Sequence, residues 1–103
     1  MPLIDLKTVR SQIPMQQVLG LLQFEPVSRA GLRLRGPCPI HDSKPHSRSF
    51  SVHLGRHRYR CFVCHSAGSQ LDLWAAVHGL SLPAAAAELC RRLGRPTPWL
   101  SVP

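Results

Sequence analysis

Acidic residues are scarce in this chain of 103 residues: Asp5, Glu25, Asp42, Asp72 and Glu88 face 13 lysines and arginines. The five are scattered, and no carboxylate cluster is visible to hold magnesium for phosphoryl transfer. An enzyme of that class is not expected from this chain alone. Long apolar runs are missing as well. No stretch reaches the 18 apolar residues of a spanning helix, so no membrane partner is expected. The N-terminus lacks a secretory pattern, because Asp5, Lys7 and Arg10 interrupt any apolar stretch. Without export, a disulfide framework has no oxidising compartment in which to form. Convincing internal repeats are absent too. What remains is one small domain, expected to be soluble and intracellular, with a modest core that a structural metal commonly supplements.

Cysteine is present four times, and three of the four fall in a pattern. Cys38-Pro39-Ile40-His41 and Cys61-Phe62-Val63-Cys64 are two close ligand pairs, separated by residues 42–60. Two residues between ligands let one tight turn aim both side chains at one ion, and two such turns make a tetrahedron. Thiolate and imidazole suit zinc, whereas calcium and magnesium require oxygen. Cys38, His41, Cys61 and Cys64 fill the coordination sphere and leave no open position, so the reading is a single structural Zn2+. Three thiolates and an imidazole leave one surplus negative charge on the site, which nearby arginines offset. Two rival readings carry less. Cys61 and Cys64 alone could be a redox pair, but the βαβ pattern expected around one is absent. Two disulfides would need the oxidising compartment already excluded. His46 and His65 are rivals to His41 as ligands, while His53 and His57 read as surface residues. Cys90, in the middle of a helical stretch, reads as a buried thiol.

The positive charge is concentrated. The net charge is +8, and Arg29, Arg33, Arg35, Lys44, Arg48, Arg56, Arg58 and Arg60 crowd one segment opposed only by Asp42. Arginine dominates, which suits bidentate phosphate contacts and stacking on bases. A basic stripe on a metal-bound module is the electrostatic footprint of nucleic-acid binding. The bland alternative is a generally basic protein.

Periodicity places these residues on elements. Ile4, Leu6, Val9 and Ile13 recur at roughly helical spacing, Pro14 breaks the helix, and Val18, Leu19, Leu21 and Leu22 give a second short apolar face. Leu32-Arg33-Leu34-Arg35 alternates as a half-buried strand with an arginine face. Residues 42–48 read as a loop. Phe50 to Leu54 alternates again, Gly55-Arg56 turns the chain, and His57 to Cys61 returns. Strand parity puts Tyr59 with Cys61 on one face and Arg58 with Arg60 on the other. His65 to Gly68 reads as a turn. Ser69 can cap a helix to His78 that ends at Gly79, and Ser81 a last helix to Leu93 that stops at Gly94. Pro96 and Pro98 forbid continuation, so residues 96–103 are expected to form a loosely held tail. Trp74 reads as core. Tyr59 and Phe62, aromatics beside arginines, are each a candidate base-stacking platform. Trp99 is either a tail anchor or an exposed contact.

The residues also carry a resemblance. Gly36, Cys38-Pro39, His41, Ser49-Phe50, Val52, Tyr59, Cys61-Phe62, Cys64, Gly68 and Leu71-Asp72 follow one pattern, and Ala87-Glu88-Leu89 and Leu93-Gly94 complete it. From about Ile4 to Gly94 the chain resembles the N-terminal zinc-binding domain of bacterial and phage DNA primases. It departs at Ile40, where the family usually has Phe, and at Arg48, where it has Pro. The loop after His41 is about two residues longer by the same comparison, and Ser69 stands for the family's Asp. The resemblance implies zinc ligation by Cys38, His41, Cys61 and Cys64, a cytoplasmic setting in a bacterium or on a phage or plasmid, and engagement of a single-stranded DNA template. It implies that the polymerising site lies in a separate domain.

The expectation is therefore an α+β protein: a zinc ribbon of about three antiparallel strands flanked by short helices on both sides. The domain covers 1–95, with the ribbon core at 32–68 and helices over 4–22 and 69–94. Arg33, Arg35, Lys44, Arg48, Arg56, Arg58, Tyr59 and Arg60 are the expected nucleic-acid contacts. Partners would be single-stranded DNA and a primase catalytic subunit, helicase or transposase. The alternative is a zinc-ribbon docking module of a replication or mobile-element system, and a third reading is an enzyme active only with a partner subunit.

Overall fold

The computed structural model describes residues 3–41, 44 and 46–99. Asp42 therefore lies outside the described residues. Helix α1 (Leu6–Gln12) starts at Asp5, whose carboxylate accepts from the Thr8 hydroxyl at 2.7 Å and the Thr8 N–H at 3.2 Å. These bonds, the hydroxyl's first, hold the Asp5 carboxyl below its usual range. Ile13 is extended, as the residue before a proline must be, and α2 (Met15–Leu21) restarts after Pro14. The expected break at Pro14 is where it was placed.

Five strands follow as an antiparallel meander in the order β1 (Ser28–Ala30), β2 (Arg33–Gly36), β3 (Phe50–His53), β4 (Arg58–Cys61), β5 (Ala67–Ser69). The α+β class holds, but the sheet has two more strands than the three expected. Neither β1 nor β5 carries the apolar alternation or branched residues that mark a strand. Ser-Arg-Ala and Ala-Gly-Ser are extended because they pair with β2 and β4.

Register sorts the sheet into two faces. On the inner face Val52 lies between Leu34 and Tyr59, and Phe50 between Gly36 and Cys61. On the outer face Ser51 lies between Arg35 and Arg60, and His53 between Arg33 and Arg58. The parity expected for Tyr59, Cys61, Arg58 and Arg60 is met. Phe50 stacks on Tyr59 and meets Phe24 edge-on, with ring centroids at 5.6 and 5.4 Å.

Helix α3 (Gln70–His78) opens with a capping box. Asp72 N–H reaches the Ser69 hydroxyl, and the Asp72 carboxylate accepts from Ser69 N–H at 2.8 Å. Gly68 makes this corner possible. Its φ is +150°, and a Cβ there would stand 2.6 Å from the Asp72 carboxylate oxygen. Gly79 ends α3 in the left-handed conformation. Helix α4 (Leu82–Arg92) is capped by Ser81. Leu71, Leu73 and Trp74 of α3 and Ala85, Ala86 and Leu89 of α4 join Ile13, Met15 and Val18 and the sheet's inner face in one core. Trp74 is core, as expected, with the Arg92 guanidinium 5.5 Å from its ring. Cys90 is buried there too, and burial pushes its thiol up.

Two long-range bonds tie the helices down. Gln70, buried at the start of α3, donates to the carbonyls of Arg10 (2.7 Å) and Ile13 (2.6 Å), which satisfies the end of α1. His57, in the β3–β4 turn, accepts the Met15 N–H at 3.0 Å through Nδ1. Pro14 offers α2 no side-chain cap, so an imidazole from the ribbon supplies it.

The tail corrects one expectation. Asp5 N–H donates to the Pro98 carbonyl at 2.8 Å and Ile4 bridges Trp99, so the chain is docked at 98–99 rather than loose. Residues 100–103 lie outside the described residues. Among the described residues, no single helix is long and apolar enough to cross a membrane.

Candidate metal centre and basic face

The two ligand pairs sit at one end of the ribbon, where β2 leaves and β4 ends. Ligand atoms of Cys38, His41, Cys61 and Cys64 all lie within 4.8 Å of one another. Zinc with bonds of about 2.3 Å to sulfur and about 2.05 Å to nitrogen makes tetrahedron edges of about 3.8 Å (S–S) and about 3.6 Å (S–N). Cys38 Sγ and Cys64 Sγ are 3.9 Å apart, and Cys61 Sγ and His41 Nδ1 3.6 Å apart. The donor set and its spacing therefore fit one zinc ion. A sulfur–sulfur distance of 3.9 Å is no disulfide. His46, His53, His57 and His65, like Cys90, stand outside the cluster.

Each knuckle directs backbone N–H groups at sulfur. Ile40 N–H faces Cys38 Sγ, and the N–H groups of Val63 and Cys64 face Cys61 Sγ, all at 3.4 Å. His65 closes the second knuckle with a φ of +62° and donates its N–H to the Cys61 carbonyl at 3.1 Å. Without metal, burial pushes the Cys38 thiol up to about 11, against the N–H groups of His41 and Ile40. Cys61 goes the other way. Burial opposes its thiolate, but the N–H groups of Cys64 and Val63 together with the neighbouring Cys64 and Cys38 thiols outweigh that opposition. Zinc uptake thus displaces protons from the thiols it binds. Four protein ligands leave no position for substrate, so the chemistry this centre can supply is rigidity.

The sheet's outer face gathers Arg33, Arg35, Arg58 and Arg60 through the register already given. Arg48 joins them: its Nη2 donates to Ser28 Oγ at 2.8 Å, and its carbonyl accepts from the Arg35 guanidinium. Arg56 is exposed at the β3–β4 turn, where its N–H donates to His53 Nδ1 at 3.2 Å. Lys44 lies off the sheet, in the loop after the first knuckle.

Tyr59 does not belong with them. It is 4% exposed, its ring stacks on Phe50 and its hydroxyl pairs with Ser66 Oγ at 2.8 Å. A nucleic-acid base cannot reach it. Strand parity had already put it beside Cys61, so the correction was legible in the sequence. Phe62 is the exposed aromatic instead. It is 49% exposed on the second knuckle, with the guanidinium carbons of Arg35 and Arg60 at 5.0 and 5.3 Å from its ring centroid. Its N–H donates to the Ser49 carbonyl at 2.8 Å, which fixes the backbone beneath the ring.

Comparison with known proteins agrees with this centre. The CHC2 zinc finger family matches residues 3–100. The chain is 31% identical over 91 residues to a DNA primase of Streptomyces coelicolor, covering 87% of the chain and 14% of that protein. It is 34% identical over 73 residues to a DNA primase of Neisseria meningitidis, covering 71% and 12%. Among solved structures, the zinc-binding and RNA polymerase domains of the Aquifex aeolicus primase superpose with a TM-score of 0.72 at 26% identity, over 90% of this chain and 22% of that one. The chain thus spans about one seventh of the length of the curated relatives it matches, 14% in the Streptomyces case.

Proposed function

Because the chain belongs to the CHC2 zinc finger family, the zinc ribbon of DnaG-type primases, we propose that it is a template-binding module of DNA replication. Its zinc holds the ribbon, its outer face engages the phosphates of single-stranded DNA, and Phe62 stacks a base. The observation that carries this reading is the cross-strand register. It lines up Arg33, Arg35, Arg58 and Arg60 on the solvent side of a sheet whose other side is core, with an exposed aromatic at the edge. Arg48 and Arg56 extend the face at its two ends.

Primer synthesis itself is assigned to another polypeptide or domain, with which this module works in the cytoplasm. The four described acids are engaged elsewhere or isolated. Asp5 and Asp72 cap helices, Glu88 stands 3.8 Å from Arg91 and Arg92, and Glu25 is exposed. The partner would be a primase catalytic subunit, a helicase or a transposase.

Salt dependence tests the electrostatic part. With about four phosphates neutralised, affinity for a single strand falls with a log–log salt slope of roughly −3. A slope near zero in an anisotropy titration would refute it. The second reading, a protein-docking module, draws on Phe62 and Val63, which are 49% and 62% exposed beside the zinc site. Arg58→Glu with Arg60→Glu separates the two. It abolishes oligonucleotide binding under the first reading, and alters partner pull-down without a DNA effect under the second.

A further inference from the structure

A second cationic feature lies at the edge of the sheet, between the ribbon and the helices. A cleft of about 500 Å³ is lined by Arg10 of α1, Arg56 and His57 of the β3–β4 turn, Arg58 of β4, and Ser69, Gln70 and Asp72 at the start of α3. Its volume is in the range of small-ligand sites. Three arginines line it, against one carboxylate. That carboxylate is already engaged by the N–H and hydroxyl of Ser69, both at 2.8 Å. Among the described residues the ion pairs are those of Glu88 with Arg91 and Arg92, so no acid pairs with Arg10, Arg56 or Arg58. The helix terminus is not the attraction, because the capping box closes it.

The other groups are also donors held in place. His57 Nδ1 accepts the Met15 N–H, so the ring proton sits on Nε2, a donor on an imidazole that lines the cleft. Arg10 is positioned through its backbone, whose carbonyl takes the Gln70 amide at 2.7 Å. Its guanidinium is therefore not needed for that bond. Arginine forks and an imidazole N–H around an open cleft match an oxyanion, and three arginines against one engaged carboxylate favour a phosphate group, which carries more charge than a carboxylate.

We infer that the Arg10–Arg56–Arg58 cleft is a phosphate-binding site separate from the outer face of the sheet, built jointly by α1 and the ribbon turn. Arg58 is common to both surfaces. Arg10, nineteen residues before the first arginine of the basic segment, Arg29, belongs to the cleft alone. The phosphate has two possible sources. It is either the terminal polyphosphate of a nucleotide or strand end, or an internal phosphate of a strand that crosses the sheet and continues past β4. The inference stands independently of the template-binding proposal, since a free polyphosphate can occupy the cleft whether or not the sheet binds DNA.

The test uses the zinc-loaded chain, its Arg10→Gln variant, and Arg33→Glu as a control that disturbs the sheet face only. Inorganic tripolyphosphate is titrated while the arginine Nε–H signals are followed by NMR. Two oligonucleotides of one sequence, ending in a 5′-triphosphate or a 5′-hydroxyl, are titrated by anisotropy. Tripolyphosphate should shift the Arg10, Arg56 and Arg58 signals in the parent and in Arg33→Glu, and bind about tenfold more weakly to Arg10→Gln. A preference for the 5′-triphosphate strand that vanishes in Arg10→Gln identifies the terminal source. Equal binding of both strands, with the salt slope reduced by about 1 in Arg10→Gln, identifies the internal source. Unchanged binding of all three probes in a folded Arg10→Gln, verified by its amide spectrum and zinc content, overturns the inference. Loss of strand binding in Arg33→Glu with tripolyphosphate binding intact would show that the two surfaces act separately.

Discussion

The ribbon and the helical layer are held together by different means. In the helical layer Trp74, Leu71, Leu73, Leu89, Ile13 and Met15 are almost wholly buried, and both α3 and α4 begin with a serine cap. Burial of apolar side chains does the stabilising there. The ribbon turns one face of β2, β3 and β4 to that core and leaves the other covered with arginines, which repel one another. Its edge strands have three residues each. Such a sheet is short of apolar contacts on its outer side, and the metal centre closes its open end. Structure maintained by packing tolerates single bond losses, whereas structure maintained by one ion does not.

Removing zinc is the severest way to break that comparison. Structural zinc in small finger peptides provides about 10–16 kcal/mol near neutral pH. Chelation, or Cys61→Ser, is expected to collapse the dispersed amide signals of residues 33–69. Signals of α3 and α4 should retain the slowest hydrogen exchange. A ribbon that kept its strand signals without metal would show that packing alone supports it.

The next effect in size comes from the other region. Leu89→Ala removes a fully buried side chain from α4 and should lower stability by about 2–5 kcal/mol in denaturant titrations of the zinc-loaded chain. Both regions should melt together, since one core joins them. Arg58→Glu with Arg60→Glu is the sharpening case. It should change folding stability by about 0.5 kcal/mol or less, because both side chains are exposed, yet lower single-strand affinity more than about tenfold. His57→Ala probes the joint between regions. Loss of the Met15 cap should cost about 1–2 kcal/mol and speed exchange of the Met15 amide, with zinc content unchanged. The smallest effect is at Asp5. The Thr8 hydroxyl and then its N–H hold the folded-state carboxyl below the ordinary aspartate range, so its stabilisation is present above that range and is lost as pH falls through the lowered value. Thr8 amide exchange should therefore accelerate in acid, and Asp5→Asn should flatten that response.

The sequence made local things legible and long-range things not. Ligand spacing identified the metal centre, and serine and glycine signals marked α3 and α4 nearly to the residue. Strand parity separated Arg58 and Arg60 from Cys61, and followed consistently it also removes Tyr59 from the nucleic-acid face. β1 and β5 were invisible because their extended state comes from partners rather than from their own side chains. The bonds from Met15 to His57 and from Gln70 to Arg10 and Ile13 join residues 42, 60 and 57 positions apart, and no local pattern announces such pairs. Arg10 was passed over for the same reason, since only the fold brings α1 beside the β3–β4 turn.

The imidazole of His57 has one more consequence. A hairpin clamped only at its metal-bound base would sway at its tip, and every strand of nucleic acid laid along it would first have to still that motion. Here the tip is fastened to α2 by a single lone pair, so the plate is gripped at both ends before any ligand arrives.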